Sequence, residues 1–354
     1  MLAGENINGY VILEDFKVAG GMSKVSFARK GDKDYFIKEF LYPKYPTPDS
    51  PGSDAVKAKK KKACEDFEKH HRDLNNQISK KCAPGGNLVF AVDFFRVGPC
   101  YYKITEKIDT SSISCEEISK LPVEKILLIA KSVCHSVRIL HDLDIVHGDL
   151  KPDNILIKKT LAGYSGKLID FDDSYFSRKP PVDRESVVGT PDYYSPEQAL
   201  YIMDEDEEID GSTLTCKSDI FTLGIIMSEY FSGEKPIVSK GSVWSAINRG
   251  ESVSFAKKLS PNIEGLLREM LSLSPDERPD IKQVFEKLRN IDKEPPIVVP
   301  GGKPKEPPIV AGGGLRGKGL RKPATPPEIK SEDPPIESPK TGLRGKGLDI
   351  AKKK

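Results

Sequence analysis

Short runs of alternating apolar and polar side chains occupy residues 9–40. YVILEDFKV, KVSFARK and DYFIKEF collect β-branched and aromatic residues between Gly and Asp breakers, and each predicts a strand. A Pro-rich loop, YPKYPTPDSPG, follows at 42–52. Residues 57–74 form a helical candidate that opens on a basic run, Lys57 and then Lys59–Lys62. NLVFAVDFF and CYYKITEKI read as two more strands. Beyond about residue 116 the period changes. EEISKLPVEKILLIAKSVCHSVRILHDL, FTLGIIMSEYF, IEGLLREMLSL and IKQVFEKLRNI place apolar residues three and four apart, the spacing of one helix face. A strand-rich first third and a helical remainder predict an α+β chain with two unequal lobes.

The pattern fails in the last 62 residues. From Lys293 onward there are 12 Pro, 10 Gly and no aromatic residue. Such a segment buries too little apolar surface to offset its ordering entropy, so 292–354 is expected to be disordered. It nonetheless repeats GLRGKGL at 314–320 and 342–348, and EPPIV at 294–298 and 306–310. An ordered seven-residue identity reads as a paired short motif that recruits a partner.

Net charge is only +2, but the tail carries 14 Lys and Arg against 7 Asp and Glu, so the rest of the chain is slightly acidic. The charge pattern gives no reason to expect nucleic acid as a partner. Acidic residues come early and no apolar stretch follows a basic start, so no signal peptide is expected. No run of about 18 apolar residues predicts a membrane span. Six scattered cysteines without a C-x-x-C pair suit free thiols in a reducing, cytoplasmic setting.

The chemistry concentrates in IVHGDLKPDNIL, residues 145–156. Asp149 is placed to accept a hydroxyl proton, Lys151 to approach a transferred phosphoryl group, and Asn154 to offer an amide oxygen to Mg²⁺. Sixteen residues further on, LIDF sets Asp170 behind two apolar residues, a hard oxygen ligand at a strand end. Phosphoryl transfer asks for little more than such positioning and charge neutralisation. Upstream, VAGGMSKVSFARK contains a Gly-rich turn able to bring backbone N–H groups near phosphates. Lys38 stands alone among apolar neighbours in DYFIKEF, and a buried lysine needs anionic partners. GTPDYYSPE (189–197), SDIFTLG (218–224) and DERP (276–279) follow in order.

This ordered set resembles the bacterial eukaryotic-like (Hanks-type) Ser/Thr protein kinases over roughly residues 9–291. The resemblance implies a two-lobed kinase fold: a leader at 1–8, a small β-rich N-lobe at about 9–108, a larger helical C-lobe at about 109–291, then the tail. It implies ATP and Mg²⁺, with Mn²⁺ as an alternative metal, and protein substrates. Asp149, Lys151 and Asn154 would be catalytic, and Asn154 and Asp170 metal ligands. Val18, Gly20, Gly21, Ser23, Val25, Lys38, Glu106, Ile108 and Leu156 would line the nucleotide site, with Thr105 as gatekeeper and Lys107 in the hinge. Glu68, or alternatively Glu65, would pair with Lys38. Thr190 would bridge Asp149 and Lys151, Glu197 would pair with Arg278, and Asp219 would hold the catalytic loop.

Several positions depart from the family pattern. Val18 stands at the first glycine of the loop, and Phe36 where a small residue usually meets adenine. Asp172 replaces the glycine after Asp170-Phe171, adding a carboxylate near the metals. Gly148 replaces an arginine that usually docks an activation-segment phosphate, so control is expected elsewhere, in expression, in the helix of Glu68 or in partners of the tail. Ser174, Ser177, Ser186 and Thr190 are candidate autophosphorylation sites. His70 and His71 are expected on the helix surface and Cys64 as a buried thiol. The acidic stretch 204–210 reads as a solvated loop or a dock for basic partners. A pseudokinase scaffold and a small-molecule phosphotransferase stay open as alternatives.

Overall fold

A computed structural model describes residues 2–291 except 20–22, 84, 109–111, 162, 181–186, 188 and 205–208. These residues belong to one unit, Met1–Pro296. The tail with its repeats, Gly20 and Gly21, Ser186, and most of the acidic stretch lie outside the described residues.

Seven antiparallel strands form the first sheet: β1 (Asn6–Ile7), β2 (Tyr10–Ile12), β3 (Lys17–Ala19), β4 (Ser23–Lys30), β5 (Lys33–Phe40), β6 (Ala91–Val97) and β7 (Cys100–Glu106). Their order is β1-β2-β4-β5-β7-β6, with β3 also paired to β4. The expected leader therefore contributes a strand, because Ile7 is buried with Tyr10, Ile12, Ala28, Ile37 and Ile104 in the core of this sheet. The single expected strand YVILEDFKV breaks into β2 and β3 where the Glu14 carbonyl turns to accept from Ser26 Oγ at 2.5 Å.

Helix α1 (Asp54–Lys81) is longer at both ends than expected. Ser53 caps it, Asp54 lies in the first turn and Lys80 and Lys81 in the last, so both ends complement the helix dipole. The basic run is helical, as expected. It lies past the first turn, where Lys61 and Lys62 meet Glu65 and Asp66 one turn on, at 3.8 and 3.9 Å. The inward stripe is Cys64, His71, Leu74 and Ile78. His71 was expected at the surface. It is buried instead, its ring stacked on Phe94 at 5.0 Å and edge-on to Phe67 at 4.3 Å.

The helical part comprises α2 (Cys115–Ser119), α3 (Val123–His141), α4 (Pro196–Met203), α5 (Cys216–Ser232), α6 (Val243–Asn248), α7 (Pro261–Met270) and α8 (Ile281–Ile291). Helix α5 is apolar on nearly every side from Ile220 to Phe231 and forms the centre, packed by α2, α3 and α7. It stops at Gly233, whose φ of 93° only glycine adopts freely. Two short pairings complete the fold: β8 (Ile145–Val146) with β11 (Tyr175–Phe176), and the hairpin β9 (Ile155–Thr160) with β10 (Gly163–Leu168). They flank the chemistry, since 147–154 links β8 to β9 and 169–174 links β10 to β11. Leu74 and Ile78 of α1 join the same core as Phe171, Leu140 and Leu223, which ties the two parts together. Among the described residues no helix is long and apolar enough to cross a membrane.

Candidate active site

The loop after β8 is suspended from α5. Asp219, buried in the first turn of that helix, accepts from the His147 and Gly148 backbone amides at 2.7 and 3.2 Å and from His141 Nε2–H at 3.0 Å. Gln198 Nε2 donates to the Gly148 carbonyl at 2.9 Å. Held from both sides, the loop presents Asp149 at the cleft. Its Oδ2 accepts from Lys151 Nζ at 2.6 Å and its Oδ1 from Thr190 Oγ1 at 2.9 Å. Lys151 also donates to Thr190 Oγ1 at 2.9 Å. Asn154 Nδ2 donates to the Asp149 carbonyl at 2.8 Å and to its Oδ2 at 3.1 Å, which leaves the amide oxygen for a cation.

Asp170 sits at φ 60°, a left-handed conformation that Asp tolerates better than most side chains. With Asn154 it forms a small set of hard oxygen donors, and among the described residues no larger cage of His, Cys, Asp or Glu converges anywhere. That set suits Mg²⁺, which keeps water and substrate oxygens in its shell. The Lys38 ammonium lies against Asp170, and a cation beside hard oxygen donors fits a nucleotide with its metal.

Lys38 is where the structure overturns the expected pairing. Its Nζ donates to both Asp170 oxygens at 2.9 Å and to Asp172 Oδ2 at 2.6 Å. Glu68 is turned away, accepting from Tyr101 Oη at 2.8 Å beside Arg72 and Arg96, and Glu65 is exposed with Lys61. The helical period explains this. The stripe Cys64–His71–Leu74–Ile78 faces inward, and Glu68 lies on its flank. Asp172 was expected beside the metals; it lies between Lys38 and Lys103, bonding one with each oxygen.

Burial opposes ionisation of Asp172, but Lys103 and Lys38 hold its carboxyl well below the usual range. Burial likewise opposes charge on Lys38, and Asp172 with Asp170 raises it above its ordinary value. His71 is pushed down to about 3 by burial, with Lys103 adding to the effect against the pull of Asp172, so it is neutral. Asp173 is pushed up to about 7 by burial and by Asp172, Asp149 and Asp170 around it.

The described nucleotide-lining candidates fall on five strands, β3, β4, β5, β7 and β9, with Ile108 just beyond β7. Val25 and Lys38 are cross-strand partners on β4 and β5, and Thr105, buried on β7, faces Phe36. The Phe36 ring leans edge-on to Phe27 at 6.0 Å. Ser23 is buried, Val18 is exposed, and Leu156 is half-buried on β9. Glu106 ends β7, 3.8 Å from Lys167, with Lys107 and Ile108 following. Further from the cleft, Arg278 is fully buried and bidentate to Glu197 at 2.7 and 2.8 Å. Of the candidate phosphosites, Ser174 and Ser177 are buried, and Ser174 Oγ donates to the His147 carbonyl at 2.9 Å.

Sequence reasoning missed Lys103 and His71. Lys103 had a signal, for it is a lysine on the inward face of an apolar strand, the same oddity that marked Lys38. His71 had only its place on the helix stripe.

A β-rich sheet part and a helical part sharing one core, with a carboxylate loop hung from a buried helix, is the architecture of a protein kinase catalytic domain. The family model described as protein kinase domain matches residues 52–288, and the chain belongs to that family. Strands β1–β5, including Lys38, precede the matched stretch but lie in one sheet with β6 and β7. The chain is similar to ovarian-specific serine/threonine-protein kinase Lok of Drosophila melanogaster, 30% identical over 208 residues, covering 56% of this chain and 39% of that protein. It is similar to PknA of Corynebacterium glutamicum, 34% identical over 133 residues, covering 37% and 26%. It also resembles serine/threonine-protein kinase A of Synechocystis sp., 30% identical over 199 residues, covering 50% and 36%. The alignments thus span well under half the length of these relatives.

Proposed function

We propose that the chain is an ATP- and Mg²⁺-dependent Ser/Thr protein kinase, transferring the γ-phosphoryl group to a protein hydroxyl in one in-line step. The observation that carries this reading is the Asp149–Lys151–Thr190–Asn154 arrangement. Asp149 orients the acceptor hydroxyl and takes its proton. Lys151 neutralises charge on the group in transit, and its bond to Thr190 ties the loop to the segment on which a peptide would lie. Bound with its metal, ATP supplies the phosphoryl group and a polarised leaving group. Asp170 and the amide oxygen of Asn154 are the ligands for that metal, Mg²⁺ or Mn²⁺, and Lys38 the cation for the phosphates. The six cysteines all stand as free thiols, which supports a reducing, cytoplasmic setting. The paired GLRGKGL repeats would recruit a partner; deleting 293–354 would then remove that partner from a pull-down while sparing transfer.

The deciding experiment uses radiolabelled ATP, a generic protein substrate and each metal in turn. Transfer by the wild type should fall about 10²- to 10⁴-fold in Asp149→Asn, with ATP affinity retained. Absence of wild-type transfer under every metal condition would sink the enzyme reading and favour a nucleotide-binding scaffold.

A further inference from the structure

Lys38 and Lys103 are directly opposite each other on β5 and β7, and both side chains are about nine-tenths buried. Like charges facing across a strand pair repel, and two buried ammonium groups require two anions. Helix α1 supplies neither. Its residue at this spot is His71, neutral and packed among Phe40, Phe67 and Phe94. Both anions come from the segment after β10. Asp170 accepts from Lys38 at 2.9 Å and from Lys103 at 3.3 Å, and Asp172 bonds both lysines. The two carboxylates are not equivalent. Asp170 is more than one-third exposed and is the one with a metal to serve, whereas the Asp172 side chain is about nine-tenths buried between the two lysines.

We propose that Asp172 is the positioning residue for Lys38, replacing a helix carboxylate, and that Lys103 is its charge-balancing partner. Placement of the phosphate-binding lysine then follows the segment that carries Asp170, and is independent of where Glu68 of α1 points. Lys103 and Asp172 form a matched pair. A glycine at 172 would strand Lys103, and an apolar residue at 103 would leave one Asp172 oxygen without a donor. This inference rests on the kinase reading only in taking Lys38 as the anchor for ATP phosphates.

The test measures binding of ATP and of adenosine by calorimetry, with and without Mg²⁺, alongside thermal midpoints. Lys38→Ala is the benchmark. Asp172→Asn should weaken ATP about ten- to hundredfold, the range for losing a charge-assisted bond, and leave adenosine unchanged. In kinetics the loss should fall more on KM for ATP than on kcat. Asp172→Asn/Lys103→Met removes one charge of each sign; it should keep a near-native midpoint and show the same ATP defect. Glu68→Gln should match wild type for both ligands. The inference is overturned if the charge-balanced double variant binds ATP as tightly as wild type, or if Glu68→Gln reproduces the Lys38→Ala loss. With Lys38→Ala defective and the Asp172 variants normal, only the role of Asp172 fails. With Lys38→Ala itself normal, the phosphate-anchor reading fails too.

Discussion

Restoring the arginine that the family usually carries before the catalytic Asp should damage this protein. Gly148 sits at φ 82°, and a Cβ built there would lie 2.3 Å from the Asp173 carbonyl oxygen and 3.3 Å from the Tyr175 ring. The position is not an empty dock. The backbone of the following segment fills it, held further by Ser174 Oγ to the His147 carbonyl at 2.9 Å and by His70 Nε2–H to the Ser174 carbonyl at 2.8 Å. A side chain at 148 incurs the left-handed penalty of about 1–2 kcal/mol. Relieving the overlap means shifting a backbone carbonyl by about an ångström, comparable to overpacking a core at about 1–3 kcal/mol. Together Gly148→Ala or Gly148→Arg should lose roughly 2–5 kcal/mol, lowering Tm by about 4–20 °C in a domain of this size. Hydrogen exchange should quicken around 170–176, and transfer should fall because Asp170 and Asp172 share that segment. Differential scanning fluorimetry and exchange mass spectrometry read both effects. A Gly148→Arg protein with wild-type Tm, exchange and activity would refute the close packing as the reason for glycine here.

Two further outcomes follow from buried charge. Arg278→Met leaves Glu197 buried with Ser218 Oγ as its remaining side-chain donor among the described residues, and should destabilise the domain by about 3–5 kcal/mol in urea titration; a loss below about 1 kcal/mol would contradict the packing. The raised Asp173 carboxyl favours the protonated form in the fold. Its contribution to stability is complete below about pH 4, declines as pH rises and is gone above about 7, the reverse of an ion-paired carboxylate. In chelator-containing buffer Asp173→Asn should therefore gain on wild type between pH 5 and 7.5, by a few kcal/mol at most, and parallel pH curves for the two proteins would exclude it.

The sequence by itself determined the elements that local physics specifies. Alternation marked the strands of the sheet, the three-to-four spacing marked α3, α5, α7 and α8, and the ordered motifs around Asp149 and Asp170 marked the chemistry, because each depends on neighbours within one turn or one strand. Where one pattern served two structures, the reading slipped. The apolar run before Ala91 looked like strand throughout, yet Val89 donates to Leu168 of β10 and not to β7. What only the tertiary structure decided was which charges meet. Glu68 and His71 are three residues apart on one helix, and a rotation smaller than one residue's step chooses which faces Lys38. Lys103 becomes a neighbour of Lys38 only through the register of β5 with β7, and of Asp172 only when the segment after β10 folds under the sheet. Gly148 likewise looks like a lost arginine in the chain and proves to be a close contact in space. Electrostatic partnership acts over a few ångströms between residues more than 130 positions apart, as for Lys38 and Asp172, and no local pattern encodes that distance.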